Sequence, residues 1–72
     1  MKYFKKKELQ PMLDWEPDMA MHFVSISEAD KLNGSPKVGD MIAINPKNKC
    51  DMWLVASEFV KENYELEYEA ED

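Results

Sequence analysis

GDMIAINPKNKCDMWLVA, residues Gly39 to Ala56, decides how this chain folds. Met41-Ile42-Ala43-Ile44 and Asp51-Met52-Trp53-Leu54-Val55 are two short apolar runs. Runs of this length, bounded by turn formers, read as buried strands. Between them, Asn45-Pro46-Lys47-Asn48-Lys49 is dense in turn residues, and Pro46 suits the first central position of a type I turn. The stretch therefore predicts a β-hairpin, 41–44 paired with 51–55. A lone hairpin is marginal in water, so at least one further short strand is expected.

Downstream, Ser57 is placed to cap a helix over about 57–63, with Glu58 in its first turn. Val60 and Tyr64, four apart, share a face that should pack on the sheet near Trp53. Glu65-Leu66-Glu67-Tyr68-Glu69-Ala70-Glu71-Asp72 alternates acid with apolar residue. That period of two predicts an edge strand through about Tyr68, with Leu66 and Tyr68 on one face and the glutamates on the other. Residues 69–72 are expected to trail off as a disordered acidic tail.

Upstream, Ser27 reads as a second N-cap, with Glu28 and Asp30 in the first turn and Asn33-Gly34 at the stop. This gives a helix over about 28–33. Phe23-Val24-Ser25-Ile26 reads as a short strand or an extended lead-in. Pro11 and Pro17 argue against a long helix in the N-terminal third, leaving an irregular, extended arm. Met12, Trp15, Met19 and Met21 supply its apolar cover, and residues 1–8 form a loosely ordered basic arm. The fold class that follows is α+β: one small domain over 1–72, a small antiparallel sheet and two short helices.

The chain has 72 residues, 44% of them hydrophobic, and a formal net charge of −6. One cysteine, Cys50, allows no internal disulfide and suits a reducing, cytoplasmic setting. No apolar run reaches the length of a membrane span. Charge is segregated: residues 1–7 carry +4, residues 61–72 carry −5, and the middle carries −5. All nine basic residues are lysine, which with the acidic pI of about 4.7 argues against a nucleic-acid partner. That partner would require the Lys5–Lys7 run to lie beside Lys47 and Lys49, away from the acidic end.

Gly34 to Asp40, Met41 to Asn48, Asp51 to Ala56 and Phe59 to Glu65 stand in one stretch of 41 residues, Ser25 to Glu65. It resembles a set of small, uncharacterised accessory proteins of lambda-like phages and prophages of enteric bacteria. Their pattern runs GSPKxGDMIAxNPKN, then DQWLVAxxFFxxNxE. This chain departs from it at Met52, where the pattern has Gln, and at Val60, where it often has Phe. The resemblance implies an accessory gene acting in the cytoplasm of a bacterial host cell, and it implies no enzymatic activity.

The residues themselves point away from catalysis. Cys50 and His22 are the only thiol and imidazole, and nothing in their spacing pairs them. One of each is too few for a zinc site. Gly34 and Gly39 stand apart and form no phosphate cradle. No catalytic, cofactor or metal residues are assigned. What remains is a non-catalytic module that binds a host or phage protein. Glu65, Glu67, Glu69 and Glu71 on one side, and Lys47 and Lys49 on the hairpin tip, are its candidate contacts. In its sharpest form it is an acidic, DNA-mimicking inhibitor. The alternative is a self-associating homodimer whose Met and aromatic face forms the interface.

Overall fold

The computed structural model describes residues 1–70. Six strands form one sheet: β1 (Lys2–Lys5), β2 (Leu9–Asp14), β3 (Val24–Ser25), β4 (Met41–Asn45), β5 (Asn48–Val55) and β6 (Glu65–Glu69). Two helices complete it, α1 (Glu28–Leu32) and α2 (Ser57–Asn63). The strand order is β3-β5-β4-β2-β1-β6. The α+β class holds, and both helices lie over the expected stretches. The sheet is mixed, not purely antiparallel, because β3 pairs with β5 in parallel at Val24–Met52 and Ser25–Trp53.

The hairpin at 41–44 and 51–55 is the best-populated pairing, with Ile42 opposite Leu54 and Ala43 opposite Trp53. Its turn is tighter than the sequence suggested, since Asn45 already faces Asn48 and only Pro46-Lys47 lie between. A two-residue loop usually takes positive φ at its centre. Proline forbids that, and no non-glycine residue here has positive φ. The strands compensate with a register shift after Ile44. Asn45 Oδ1 accepts from the Lys47 N–H at 2.9 Å, and Asn48 Oδ1 from the Cys50 N–H at 3.1 Å.

The N-terminal third departs most from expectation. Residues 2–5, expected in a loose arm, form β1, hydrogen-bonded to β2 on one side and β6 on the other. The irregular arm is β2 over its first half. Pro11 is tolerated there because the β2–β4 pairing covers only Met12, Leu13 and Asp14. Beyond it, Gln10 Nε2 donates to the carbonyls of Ile44 (2.7 Å) and Pro11 (3.0 Å), so a side chain continues where proline has no N–H.

Residues opposite one another across the strands share a face. Phe4, Met12, Met41, Ala43 and Val55 form one buried layer, closed by Val60 of α2 with Trp53 and Tyr64 packed at its margin. That is the packing expected from the Val60–Tyr64 spacing, with the fully buried Met12 at its centre. Ile42, Ile44 and Leu54 are buried on the other face, outside that cluster. To reach β3, the connection after β2 must pass β4 and β5. α2 lies on the first face, and α1 lies beside Trp53 and Phe59. Trp15, Met19 and Met21 are half-buried within the connection.

β6 confirms an edge strand but corrects its faces. Tyr3 faces Tyr68 and Phe4 faces Leu66, with a register shift between them. Tyr3 and Phe4 are consecutive, so their side chains point to opposite faces. Leu66 and Tyr68 therefore lie on opposite faces as well, and Glu67 occupies the bulge. The Tyr3 and Tyr68 rings stack at 4.6 Å, 15° from parallel. Glu69 is the last residue of β6, and Ala70 exchanges hydrogen bonds with Met1 at 2.8 and 2.9 Å. The expected tail thus begins no earlier than residue 71, and Glu71 and Asp72 lie outside the described residues.

Candidate functional site

Three features can present chemistry to a partner: the loop before β4, the acidic edge at β6, and the end of the sheet where two hairpins turn.

The loop Gly34-Ser35-Pro36-Lys37-Val38-Gly39-Asp40 is organised by Asp40, whose side chain has no exposure. Its carboxylate accepts from Ser35 Oγ (2.7 Å), the Lys37 N–H (3.0 Å) and the Ser57 N–H (3.0 Å), with Lys37 Nζ at 3.4 Å. Burial pushes the Asp40 carboxyl upward, but the hydrogen bonds from Ser35, Ser57 and Lys37 outweigh it and hold it below its ordinary value. The Asp40 carbonyl also accepts from the Trp15 N–H at 3.0 Å, extending the β2–β4 ladder by one step. Gly39 sits at φ +104°, and its α-carbon lies close under Ser57, where a Cβ would come within 3.5 Å of the serine's own. These bonds tie the loop to the first turn of α2.

The capping expectations divide accordingly. Ser27 caps α1, accepting from the Asp30 N–H at 3.2 Å. Ser57 does not cap α2: it is the first helical residue, Ala56 holds the cap position, and Asp40 Oδ1 receives the Ser57 N–H. A capping acid 17 residues upstream leaves no local signature, which is why the sequence assigned the role to Ser57.

At β6 every residue from Glu65 to Glu69 is exposed, and its outer edge faces no other strand among the described residues. The bulge splits the expected acidic row, since Glu65 faces Lys5 and Glu69 faces Lys2 across the pairing. These positions lie on opposite faces of the sheet. Lys2 bridges to Asp14 at 2.9 Å. That Asp14 hydrogen bond is the main reason its ammonium is held above the ordinary lysine value, against the opposing effect of burial and with Glu69 adding attraction.

Lys47 and Lys49 are exposed at the β4–β5 turn. They do not join the glutamates, since β2 and β1 lie between β4 and β6, roughly 14 Å at three strand spacings. They join the lysines of the β1–β2 turn instead. β1 and β4 run the same way, so both hairpins turn at one end of the sheet. One groove there is lined by Lys6, Lys7, Gln10 and Pro46 together.

Cys50 is free and exposed, and His22 is exposed in the crossing connection. Among the described residues, no group of three His, Cys, Asp or Glu side chains converges as a metal site would require. The Trp15 indole N–H is enclosed and has no hydrogen-bond acceptor among the described residues. Among the described residues, no helix is long and apolar enough to cross a membrane. Compared with known protein families, curated proteins and solved structures, the chain matches none.

Proposed function

We propose that this chain is a non-catalytic interaction module, a phage or prophage accessory protein that binds a basic, extended segment of a host or phage protein along β6. One observation carries the reading: an open strand edge, exposed along its whole length, with Glu65 and Glu69 on its two faces and Glu67 between. An extended peptide that adds a strand gains main-chain hydrogen bonds, while flanking charge selects its side chains. Acid on both faces selects lysine or arginine at successive positions of the incoming strand. This arrangement favours a peptide partner over DNA mimicry. Alternate residues of a strand are about 6.8 Å apart, half the linear charge density of a DNA strand even before the bulge divides the row. The resemblance in Ser25 to Glu65 supplies the cellular context.

The test is affinity capture from bacterial lysate at low salt, with the intact chain beside a Glu65→Lys, Glu67→Lys, Glu69→Lys variant. A basic protein retained by the first, lost with the second and released by salt is the expected result. Equal recovery on both baits, or no partner at low salt, would falsify the reading. Self-association is the second reading, favoured by the exposed apolar side chains Phe23, Leu32 and Val38, which are 70%, 87% and 80% exposed. Sedimentation showing a monomer at high concentration removes it.

A further inference from the structure

Lysines far apart in the sequence converge at one end of the sheet. Lys5 ends β1, with Lys6 and Lys7 in the β1–β2 turn; Lys47 lies in the β4–β5 turn with Lys49 at the start of β5; Lys61 is in the last turn of α2. Neighbouring grooves connect them. One is lined by Lys5, Lys6 and Lys61, the next by Lys6, Lys7 and Pro46, the third by Pro46, Asn45 and Lys49. The remaining lysines are engaged elsewhere: Lys2 with Asp14, Lys31 with Glu28, and Lys37 with Asp40 and Glu58. Among the described residues, none of the six converging lysines forms an ion pair, although Lys6 rests 5.6 Å over the Phe59 ring.

The acids at this end lie mostly to one side. Glu62, Glu65 and Glu67 share the groove of Lys61, toward α2 and β6. Asp51 is held by Asn45 Nδ2 at 3.1 Å. Between the two hairpin turns the lining contains Glu8 alone against Lys6 and Lys7, and the groove of Lys49 contains no acid. That last groove is walled by Tyr3, whose ring is stacked on Tyr68, together with Leu9 and Pro11. Lys49 beside the Tyr3 ring, with Lys6 and Lys7 in the adjoining groove across Leu9 and Pro46, matches the way single strands are held, with charge following the backbone and rings taking the bases. The turns are about 10 Å apart, two strand spacings, so a short oligonucleotide reaches both.

We infer that the end of the sheet between the β1–β2 and β4–β5 turns binds single-stranded nucleic acid, with Lys7, Lys47 and Lys49 on its phosphates and Tyr3 beside its bases. This surface shares the Tyr3–Tyr68 stack with β6, but its lysines Lys7, Lys47 and Lys49 are distinct from the β6 glutamates, so the two sets can be substituted independently. The overall charge of −6 opposes long-range attraction, so binding is local and weakens steeply with salt.

Fluorescence anisotropy with a labelled oligothymidylate, from low to physiological salt, tests it. Log Kd should rise with log salt at a slope of about 2, roughly 0.7 for each of three phosphates. Lys7→Gln, Lys47→Gln, Lys49→Gln should weaken low-salt binding at least tenfold and flatten the slope, whereas Lys31→Gln on α1 should change neither. Melting curves of both variants should overlay the parent, since these side chains are exposed. A saturating titration that shows no binding at low salt overturns the inference, as does binding unaffected by the triple substitution. Displacement of the oligonucleotide by polyglutamate at equal charge would assign the end to acidic polypeptides, and preference for duplex would exclude the single-strand assignment.

Discussion

Asp40 does more for the local structure than any residue the sequence singled out. It ties Ser35, Lys37 and the first turn of α2 to the start of β4. Its carboxylate is buried, so its hydrogen bonds are not exchanged with water, and losing the charge leaves donors without an acceptor. A carboxyl group held below its ordinary 3.8 in the folded chain adds stability at every pH above that value. The contribution is lost as pH falls through the lowered folded value. Asp40→Asn should therefore cost about 1–3 kcal/mol at neutral pH. It should also lose less stability than the parent on acidification below about pH 4. Urea unfolding at pH 7 and pH 3 measures both, and equal acid sensitivity in the two proteins would exclude Asp40 as the coupled group. The sequence displayed Gly39-Asp40 before a strand, but not the serine N–H 17 residues later that the carboxylate would meet.

At the scale of the element, β6 shows how a single register shift alters a reading based on period two. Alternation in the sequence is real, yet the bulge at Glu67 moves Tyr68 to the face of Tyr3 and leaves Leu66 on the face of Phe4. The glutamates acquire a second role from their position. An exposed edge strand is a template for pairing with another copy, and like charges brought opposite one another oppose it. Glu65→Thr, Glu67→Thr, Glu69→Thr should therefore raise self-association, seen as a concentration-dependent increase in sedimentation coefficient that the parent does not show. A variant that remains monomeric would indicate that the bulge alone protects the edge. The β4–β5 hairpin was more legible, because its turn residues and its apolar flanks lie in one continuous stretch and need no distant partner.

For the whole molecule, β1 is the hinge of the architecture. It sits between β2 and β6, and Phe4 enters the core with Met12 and Val60. Without it β6 has no neighbour and the core loses an aromatic ring. A chain lacking residues 1–5 should lose its cooperative melting transition or unfold far below the parent. Removal of a loose arm, as composition alone suggested, would leave the melt unchanged, so circular dichroism against temperature decides between them. A domain of this size buries only about 60% of its unfolded surface, which leaves little reserve for the loss of a strand.

The sequence by itself determined what is encoded between near neighbours: the hairpin, both helices, the cap at Ser27, and the packing of Val60 and Tyr64 beside Trp53. It also placed an edge strand in the acidic segment. The tertiary structure decided what depends on partners far along the chain. It made the basic segment a strand, because β2 and β6 supply its hydrogen bonds. It allowed Pro11 within β2, because the pairing with β4 begins at Met12 and the Gln10 side chain reaches the Ile44 carbonyl beyond it. It gathered Lys5–Lys7 and Lys47–Lys49 at one end, because β1 and β4 run the same way. Local propensity acts over a few residues, whereas strand pairing joins residues tens of positions apart, and only the folded sheet brings these groups together.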